Sequence, residues 1–277
     1  MSLIIYHKLN NVVRISLNRP EKRNALNVAL QDELVEAMSA AEADHDVRTV
    51  ILKGEGKAFC SGYDISPSAW SDYEGQLTMR DDIQNLRRVV SRFATIWQLS
   101  KPVIAQVHGY CLAGGTDLAL HCDMVIAAED AIIGYPPVRA MGSPPTHMWT
   151  YLVGPQWAKY MLLSGDTIDG KTAERIGLIL RAVPAEKLEE EVTELAEKMA
   201  NTPWDLLAVN KSIVNKAVEL MGRSLLQQLA AESDAIAHQA PIVAEFFKMS
   251  AEKGLKAAIE SHGTAPSATT KKSDRRR

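Results

Sequence analysis

Two glycine-bearing segments decide the fold: KAFCSGYDI, from Lys57 to Ile65, and HGYCLAGGTD, from His108 to Asp117. Each follows a short apolar stretch typical of a buried strand, Val47 to Leu52 for the first and Val103 to Val107 for the second. Glycine has no Cβ and lets backbone approach a ligand closely, and the first N–H groups of a helix have no partner inside it. We therefore predict that Gly114 opens a helix whose free N–H groups face a bound oxygen. Two ordinary glycine turns are the alternative interpretation.

Short strands and helices alternate around these two segments, which predicts an α/β fold of stacked strand–helix units. A hairpin is predicted over residues 3–18. The predicted helices span Asn27 to Ala43, Asp82 to Leu99, Thr116 to His121, Pro184 to Ala200, Pro203 to Met221 and Ser224 to Ala240, and a further strand spans Met124 to Ala128. The chain is mostly helical in pattern from Pro155 onward, and residues 65–80 are predicted to form a mobile loop. We expect a core domain over 1–190, a helical region over 191–262 and a disordered tail over 263–277.

The composition, 46% hydrophobic and 23% charged over 277 residues, is that of an ordinary globular protein. No apolar run approaches the ~18 residues of a membrane span, and no secretory signal is visible. Three cysteines without metal-type spacing indicate free thiols in a reducing compartment, which predicts a cytoplasmic protein without a metal. Residues 271–277 carry a net charge of +4, but the rest of the chain has no basic surface pattern, so neither nucleic acid nor membrane is an expected partner. A weak electrostatic contact of the tail stays open.

Further segments accompany the two glycine turns in a fixed order. They are Asn18-Arg19-Pro20, RNALN from Arg23 to Asn27, KPVIA from Lys101 to Ala105, Cys122-Asp123-Met124, and Leu163-Ser164-Gly165-Asp166 followed by Ala173 and Gly177-Leu178. Over about residues 3–260 this order resembles the crotonase family, also called the enoyl-CoA hydratase/isomerase family. The resemblance implies a crotonase-like spiral of ββα units, a helical C-terminal trimerisation region, and homotrimers that pair into hexamers.

The resemblance also implies a site for an acyl-CoA thioester. The N–H groups of Tyr63 and Gly114 would be the two donors of an oxyanion hole, which polarise the thioester carbonyl. Coenzyme A would enter as part of the substrate, and no permanently bound cofactor is implied. The implied contacts to it are Arg23, Ala25, Lys57, Ala58, Ser61, Gly62, Asp64 and Ile65. For Arg23 and Lys57, a solvated surface charge is the alternative.

The sequence departs from the family at both catalytic carboxylates. Family hydratases place two glutamates on opposite sides of a water. The first position, three residues after Gly114, is Asp117, which keeps a carboxylate about one methylene shorter; a charge that only complements the helix N-terminus is the alternative. The second position is Pro137, whose side chain can neither donate nor accept a proton.

Other side chains could replace the second glutamate. His147 has an intrinsic pKa suited to proton exchange near neutrality and is our candidate, although a lone histidine is more often structural. The remaining possibilities are Tyr135, Arg139 and Asp123, the last more simply a structural residue. Trp70 and Tyr73 could line the acyl pocket.

These observations predict an acyl-CoA enzyme of fatty-acid metabolism that stabilises a thioester oxyanion or enolate. An enoyl-CoA hydratase-like carbon–oxygen lyase is the main hypothesis. Because Pro137 replaces the second glutamate, isomerisation, decarboxylation and hydrolysis stay open. A protein that binds acyl-CoA without catalysis is the alternative from another class.

Overall fold

A mostly parallel sheet forms the centre of the chain, which is described over residues 2–66 and 78–264 by a computed structural model. Within these ranges the sheet has six strands in the order β1-β2-β3-β4-β6-β9. They are β1 (Ile4–Leu9), β2 (Val12–Leu17), β3 (Thr49–Gly54), β4 (Val103–Val107), β6 (Met124–Ala128) and β9 (Arg181–Val183). Trp70, Tyr73, most of the predicted mobile loop and the basic tail lie outside the described residues.

The predicted hairpin is confirmed, because β1 and β2 pair antiparallel around the turn at Asn10 and Asn11. All other neighbours in this sheet run parallel. Every residue of β4 is buried, as expected for a parallel strand covered on both faces. Helices cover the sheet because parallel neighbours need a crossover connection.

A smaller sheet, which the sequence patterns did not predict, lies beside the first. Its order among the described residues is β5-β7-β8, formed by Tyr110–Leu112, Ile132–Gly134 and Thr167–Asp169. The segment from His108 to Gly115, predicted as a turn, therefore contains a short strand. The region after Pro155 also contains β8 and β9 in addition to its helices. Three-residue strands are too short to show a periodicity.

The helices agree with the predicted ones to within a few residues, and the described part of the chain adds four more. They are α1 (Val28–Ala43), α2 (Met79–Gln98), α3 (Gly114–Ala119), α4 (Trp149–Ser164), α5 (Gly170–Arg175), α6 (Leu188–Ala200), α7 (Trp204–Leu220), α8 (Arg223–Ala237), α9 (Pro241–Lys253) and α10 (Leu255–Ser261). The side chain of Asn27 accepts a hydrogen bond from the backbone N–H of Leu30 and so caps α1. The additional helices are α4, α5, α9 and α10. None of the described helices is both long and apolar enough to cross a bilayer.

Packing brings the two glycine turns to one edge of the sheet. Since β3 and β4 are parallel neighbours, their carboxyl ends meet at the same edge, and each turn follows one of them. On the sheet itself, α6 packs against β3, β4 and β6, and α1 packs against β1 and β2. Ile65, just after the first turn, packs against a small apolar cluster that includes Phe246 of α9 and Ala258 of α10. The C-terminal helices therefore lie beside the turns.

Candidate active site

The two glycine turns are joined by backbone hydrogen bonds. The N–H of Phe59 donates to the carbonyl of His108 (2.8 Å), that of Cys60 to Tyr110 (2.9 Å), and that of Leu112 back to Cys60 (3.1 Å). The contact is close enough that a Cβ added to Gly115 would lie 2.5 Å from the carbonyl oxygen of Cys60. The turns therefore form one rigid backbone unit and not two separate loops.

The predicted oxyanion donors lie one on each turn, Tyr63 on the first and Gly114 on the second. Gly62 has φ +114, and a Cβ built on it would lie 2.8 Å from Cβ of Ala113 and 3.5 Å from the backbone nitrogen of Gly114. Gly114 is the first residue of α3. Among the described residues, no acceptor takes a hydrogen bond from the N–H of Tyr63 or of Gly114. Two unused N–H groups on adjoining turns can polarise one carbonyl oxygen.

Asp117 lies on the same short helix and is 1% exposed. The hydroxyl of Tyr63 donates to its Oδ2 at 2.8 Å, and the hydroxyl of Thr146 donates to its Oδ1. Burial raises the pKa of Asp117 to about 7, although the hydroxyls of Thr146 and Tyr63 lower it. No lysine, arginine or histidine forms an ion pair with this carboxylate among residues 2–66 and 78–264. Asp117 can therefore exchange a proton at neutral pH beside the two N–H donors.

His147, our sequence candidate for the second acid–base group, follows Thr146 in the chain and has φ +47. Its Nδ1 is buried without a hydrogen-bond partner in the described part of the chain. Burial lowers the pKa of its imidazole, which favours the neutral ring. No described hydrogen bond joins His147 to Asp117, Tyr63 or Gly114. His147 therefore adjoins Thr146, which donates to Asp117, but has no described hydrogen bond to the carboxylate itself.

Pro137 occupies the position of the second glutamate, and its surroundings differ from those of the residues that could take over the role of that glutamate. The carbonyl of Pro137 accepts N–H bonds from Ala140, Met141 and Gly142, so this residue opens a tight turn. Arg139 pairs with Asp166 at 2.8 Å.

Asp123 pairs with Lys211 at 2.7 Å and accepts the N–H of Val103 at 2.7 Å. Arg139 and Asp123 therefore have partners that account for their positions. Tyr135 is buried, and its hydroxyl is close enough to Asp117 to lower the pKa of that carboxyl.

The residues predicted to contact coenzyme A fall into an exposed and a buried group. Arg23 and Lys57 are exposed, and the Arg23 guanidinium lies over the Tyr110 ring at 5.3 Å from its centroid. Ala25, Ala58 and Gly62 are buried. Ala58 is 0% exposed, so it supports the turn from inside and presents no surface to a ligand.

Asp64, Ser61 and Ile65 complete this set. The carboxylate of Asp64 is held by Arg19 at 2.9 Å and by the Ser66 hydroxyl at 2.6 Å, which leaves little of it for a ligand. Ser61 and Ile65 are half-buried. The candidate coenzyme A surface thus has two exposed cations, Lys57 on the first turn and Arg23 on the segment before it.

Sequence reasoning missed the residues that surround Asp117 from elsewhere in the chain. Gln227 of α8 donates to the carbonyl of Thr146 (2.8 Å) and contacts Nε2 of the buried His121 (3.1 Å), whose Nδ1 bonds the backbone oxygen of Asp117 (2.7 Å). Burial lowers the pKa of His121 to about 4, so this ring is neutral. A lone threonine and a helical glutamine carry no sequence signal that could have identified them.

A second buried carboxyl, Asp234 of α8, was also missed. It accepts the N–H of Ser143 at 2.7 Å and faces His238 at 3.5 Å, and His238 in turn contacts Asp82 of α2 at 2.7 Å. Burial raises the pKa of Asp234 to about 6, and its negative charge adds to the rise at Asp117. These side chains connect α2 and α8 to the segment that carries Thr146.

Comparison with known proteins identifies the family. A family model described as Enoyl-CoA hydratase/isomerase matches residues 7–261. A probable mitochondrial enoyl-CoA hydratase of Dictyostelium discoideum is 34% identical over 217 residues, which are 77% of this chain and 75% of that protein. The 2,3-dehydroadipyl-CoA hydratase of Escherichia coli is 34% identical over 77% of this chain and 82% of its own length.

Solved structures show the same fold. The enoyl-CoA hydratase of Mycobacterium smegmatis superposes with a TM-score of 0.89 at 34% identity, covering 94% of this chain and 92% of its own. An enoyl-CoA hydratase/isomerase of Xanthobacter autotrophicus Py2 gives 0.89 at 35% identity, covering 94% and 97%. The predicted crotonase-like α/β fold is thereby confirmed. The chain belongs to the enoyl-CoA hydratase/isomerase family.

Proposed function

We propose that this chain catalyses a carbon–oxygen lyase reaction, the reversible addition of water to an enoyl-CoA thioester. One observation carries the proposal: a buried carboxyl with a pKa of about 7 lies on the helix that begins with an unused N–H donor. The N–H groups of Tyr63 and Gly114 would hold the thioester oxygen as it gains negative charge. Asp117 would move the proton that the reaction requires.

Pro137 supports a second set of reactions at the same site. Isomerisation, decarboxylation and thioester hydrolysis all develop negative charge on the same oxygen and can proceed with one carboxylate. A binder without catalysis is also compatible with Pro137. It has no need, however, of an uncompensated buried carboxylate, which costs several kcal/mol in stability, of order 4 by linkage.

Incubation of the protein with a panel of acyl-CoA thioesters, followed by mass spectrometry, tests the proposal. Gain of one water by an enoyl-CoA is the expected result. Rearrangement without mass change, loss of carbon dioxide or release of free coenzyme A would assign one of the other reactions. Absence of turnover across the panel, with binding intact, would indicate the non-catalytic class.

The exposed cations Arg23 and Lys57 support recognition of coenzyme A, whose phosphates are anionic. We expect tight binding of a CoA thioester and weak binding of the matching free acid, measured by calorimetry on the same acyl group. Equal affinities would contradict a site built around coenzyme A.

The apolar surface of α7 and α8 supports assembly into a homotrimer or a dimer of trimers. Its exposed large side chains are Trp204, Leu206, Val209, Ile213, Val214, Leu220, Leu225, Leu229 and Ile236. Large apolar side chains exposed in this number on two successive helices favour an interface. Light scattering at micromolar concentration should give a trimer or hexamer, unchanged after removal of residues 264–277, and a monomer would contradict the proposal. The three buried free thiols support a reducing compartment such as the cytoplasm.

A further inference from the structure

Both oxygens of the Asp117 carboxylate are already engaged by hydroxyl groups. Tyr63 donates to Oδ2 and Thr146 to Oδ1. The whole residue is 1% exposed, whereas Tyr63 is half-buried. Of these two hydroxyl donors, Thr146 is fully buried, so Tyr63 is the one that belongs to a partly exposed residue and is placed to pass a proton between Asp117 and a substrate.

The Tyr63 ring lies directly against Gly114, the residue whose N–H is the second oxyanion donor. A Cβ built on Gly114 would lie 2.8 Å from Cζ of Tyr63 and 2.9 Å from both Cε1 and Cε2. Cζ is the carbon that carries the hydroxyl. The phenol is thus held between the oxyanion donors and Asp117, and any side chain at position 114 would displace it.

We propose that Tyr63 is a catalytic acid–base residue whose phenol hydroxyl relays protons between the acyl-CoA substrate and Asp117. This inference rests on the proposed function, and it assigns a role to the Tyr63 side chain in addition to that of its backbone N–H. It also accounts for the loss of a second carboxyl at Pro137, because one relay can serve both proton transfers.

The steps balance without any other reagent. As the oxygen of a water bonds to the β-carbon, the phenol oxygen takes a proton from that water and passes its own proton to Asp117. The electron pair of the carbon–carbon double bond moves onto the thioester oxygen. The proton then returns from Asp117 through Tyr63 to the α-carbon as the enolate collapses, so one water is added and both side chains are restored.

The protonation states of the two groups suit such a relay. Burial and the negative charge of Asp117 raise the pKa of Tyr63 well above 10, so its hydroxyl keeps a proton to pass on. The pKa of Asp117 at about 7 allows it to accept and return that proton near neutrality.

Thr146 offers a matched control, because it donates to the other oxygen of the same carboxylate. Tyr63→Phe and Thr146→Val each remove one hydroxyl from Asp117 and keep the shape of the side chain. If hydrogen bonding to Asp117 were the only role of Tyr63, the two variants should lose similar turnover, about 2- to 13-fold for one hydrogen bond. We expect Tyr63→Phe to lose about 10²-fold or more in kcat with little change in KM for the thioester.

The wild-type enzyme and both variants are compared on the acyl-CoA that the wild type converts, with thermal unfolding as the folding control. Incorporation of 3-fluorotyrosine at position 63 provides a second variant that keeps the ring and the hydroxyl. A relay predicts that kcat changes with the acidity of the phenol, while thioester binding stays the same.

Two outcomes would overturn the relay alone. In one, Tyr63→Phe keeps turnover to within the loss caused by Thr146→Val. In the other, fluorotyrosine leaves kcat unchanged. If the wild type converts no acyl-CoA, the proposed function itself fails and the relay with it, and that result is distinct because it appears before any substitution is made.

Discussion

Asp117 and Asp123 are six residues apart and both largely shielded from solvent, with Asp117 1% exposed and the Asp123 side chain 15% exposed, yet their surroundings differ completely. Lys211 lies 2.7 Å from Asp123, is itself 7% exposed, and supplies a full countercharge. Among residues 2–66 and 78–264, Asp117 has hydroxyl donors and no cation: Tyr63 and Thr146 donate to its two oxygens, and the Tyr135 hydroxyl lies nearby. A buried carboxylate with a cation holds parts of a fold together, here α7 and the start of β4. One without a cation destabilises the fold, and a role in proton transfer explains its presence.

The largest expected effect concerns the paired carboxylate. Asp123→Asn keeps an acceptor for the N–H of Val103 but leaves the charge of Lys211 buried and unpaired. We expect a loss of about 3–5 kcal/mol in the free energy of unfolding, measured by urea denaturation.

The exposed pair of Asp32 with Arg92, at 2.7 Å, is the control for that experiment. Asp32→Asn should cost only about 0–1 kcal/mol, because solvent screens a surface pair. A loss at Asp123 no larger than the loss at Asp32 would remove the distinction between the buried pair and a surface pair.

The next effect is a dependence of stability on pH that belongs to Asp117. Its pKa is about 7 in the folded protein against an ordinary value of 3.8, so the folded state binds the proton more tightly than the unfolded chain does. This difference stabilises the folded state fully below about pH 4, and the stabilisation is lost as the pH rises through 7. At about 1.4 kcal/mol per pH unit, the loss in the free energy of unfolding amounts to roughly 4 kcal/mol.

Asp117→Asn should remove this contribution. Between pH 4 and pH 7 the wild type should lose more unfolding free energy than the variant, so the variant becomes the more stable of the two relative to pH 4. Asp234, whose pKa is raised to about 6, titrates in the same window in both proteins, so only the part of its titration that depends on the charge of Asp117 remains in the difference. Parallel stability curves for the two proteins would show that Asp117 is not an uncompensated buried charge.

The same substitution should have a kinetic effect. Asp117→Asn keeps the size of the side chain but removes the base, so turnover should fall by a factor of roughly 10² or more while thioester affinity barely changes. Steady-state kinetics and calorimetry measure the two quantities. Full turnover by the folded variant would exclude Asp117 from the mechanism and direct attention to His147.

The smallest effect is expected when both members of the structural pair are replaced. Asp123→Asn combined with Lys211→Met removes both charges of this pair. The carbonyls of Ile96 and Lys101, however, lose the donor that Lys211 provides. We expect a loss of about 1–3 kcal/mol, smaller than that of Asp123→Asn alone. A double variant less stable than the single one would mean that Lys211 acts through those carbonyls more than through its charge.

Much of the framework could be predicted because it depends on local patterns. The β1–β2 hairpin, the capped start of α1 at Asn27 and the placement of Gly114 at the start of α3 all follow from residues close together in the chain. The short strands β5 and β8 were missed, because three residues are too few to show an alternation.

The candidate site could be predicted only in part for a related reason. Asp117 was identified by its spacing from Gly114, but Thr146, which holds one of its oxygens, is 29 residues away. Asp234, whose charge influences the same carboxyl, lies on α8, packed beside α2. Contacts across such separations leave no periodic trace in the sequence.

By itself, the sequence determined the family, the two glycine turns, and the replacement of the second glutamate by Pro137. Only the tertiary structure decided that Asp123 has a cation while Asp117 has none among the described residues, and that the Tyr63 ring lies against Gly114 with its hydroxyl on Asp117. The physical reason is that backbone conformation follows from neighbouring residues, whereas the charge state of a buried group depends on which distant side chains pack around it.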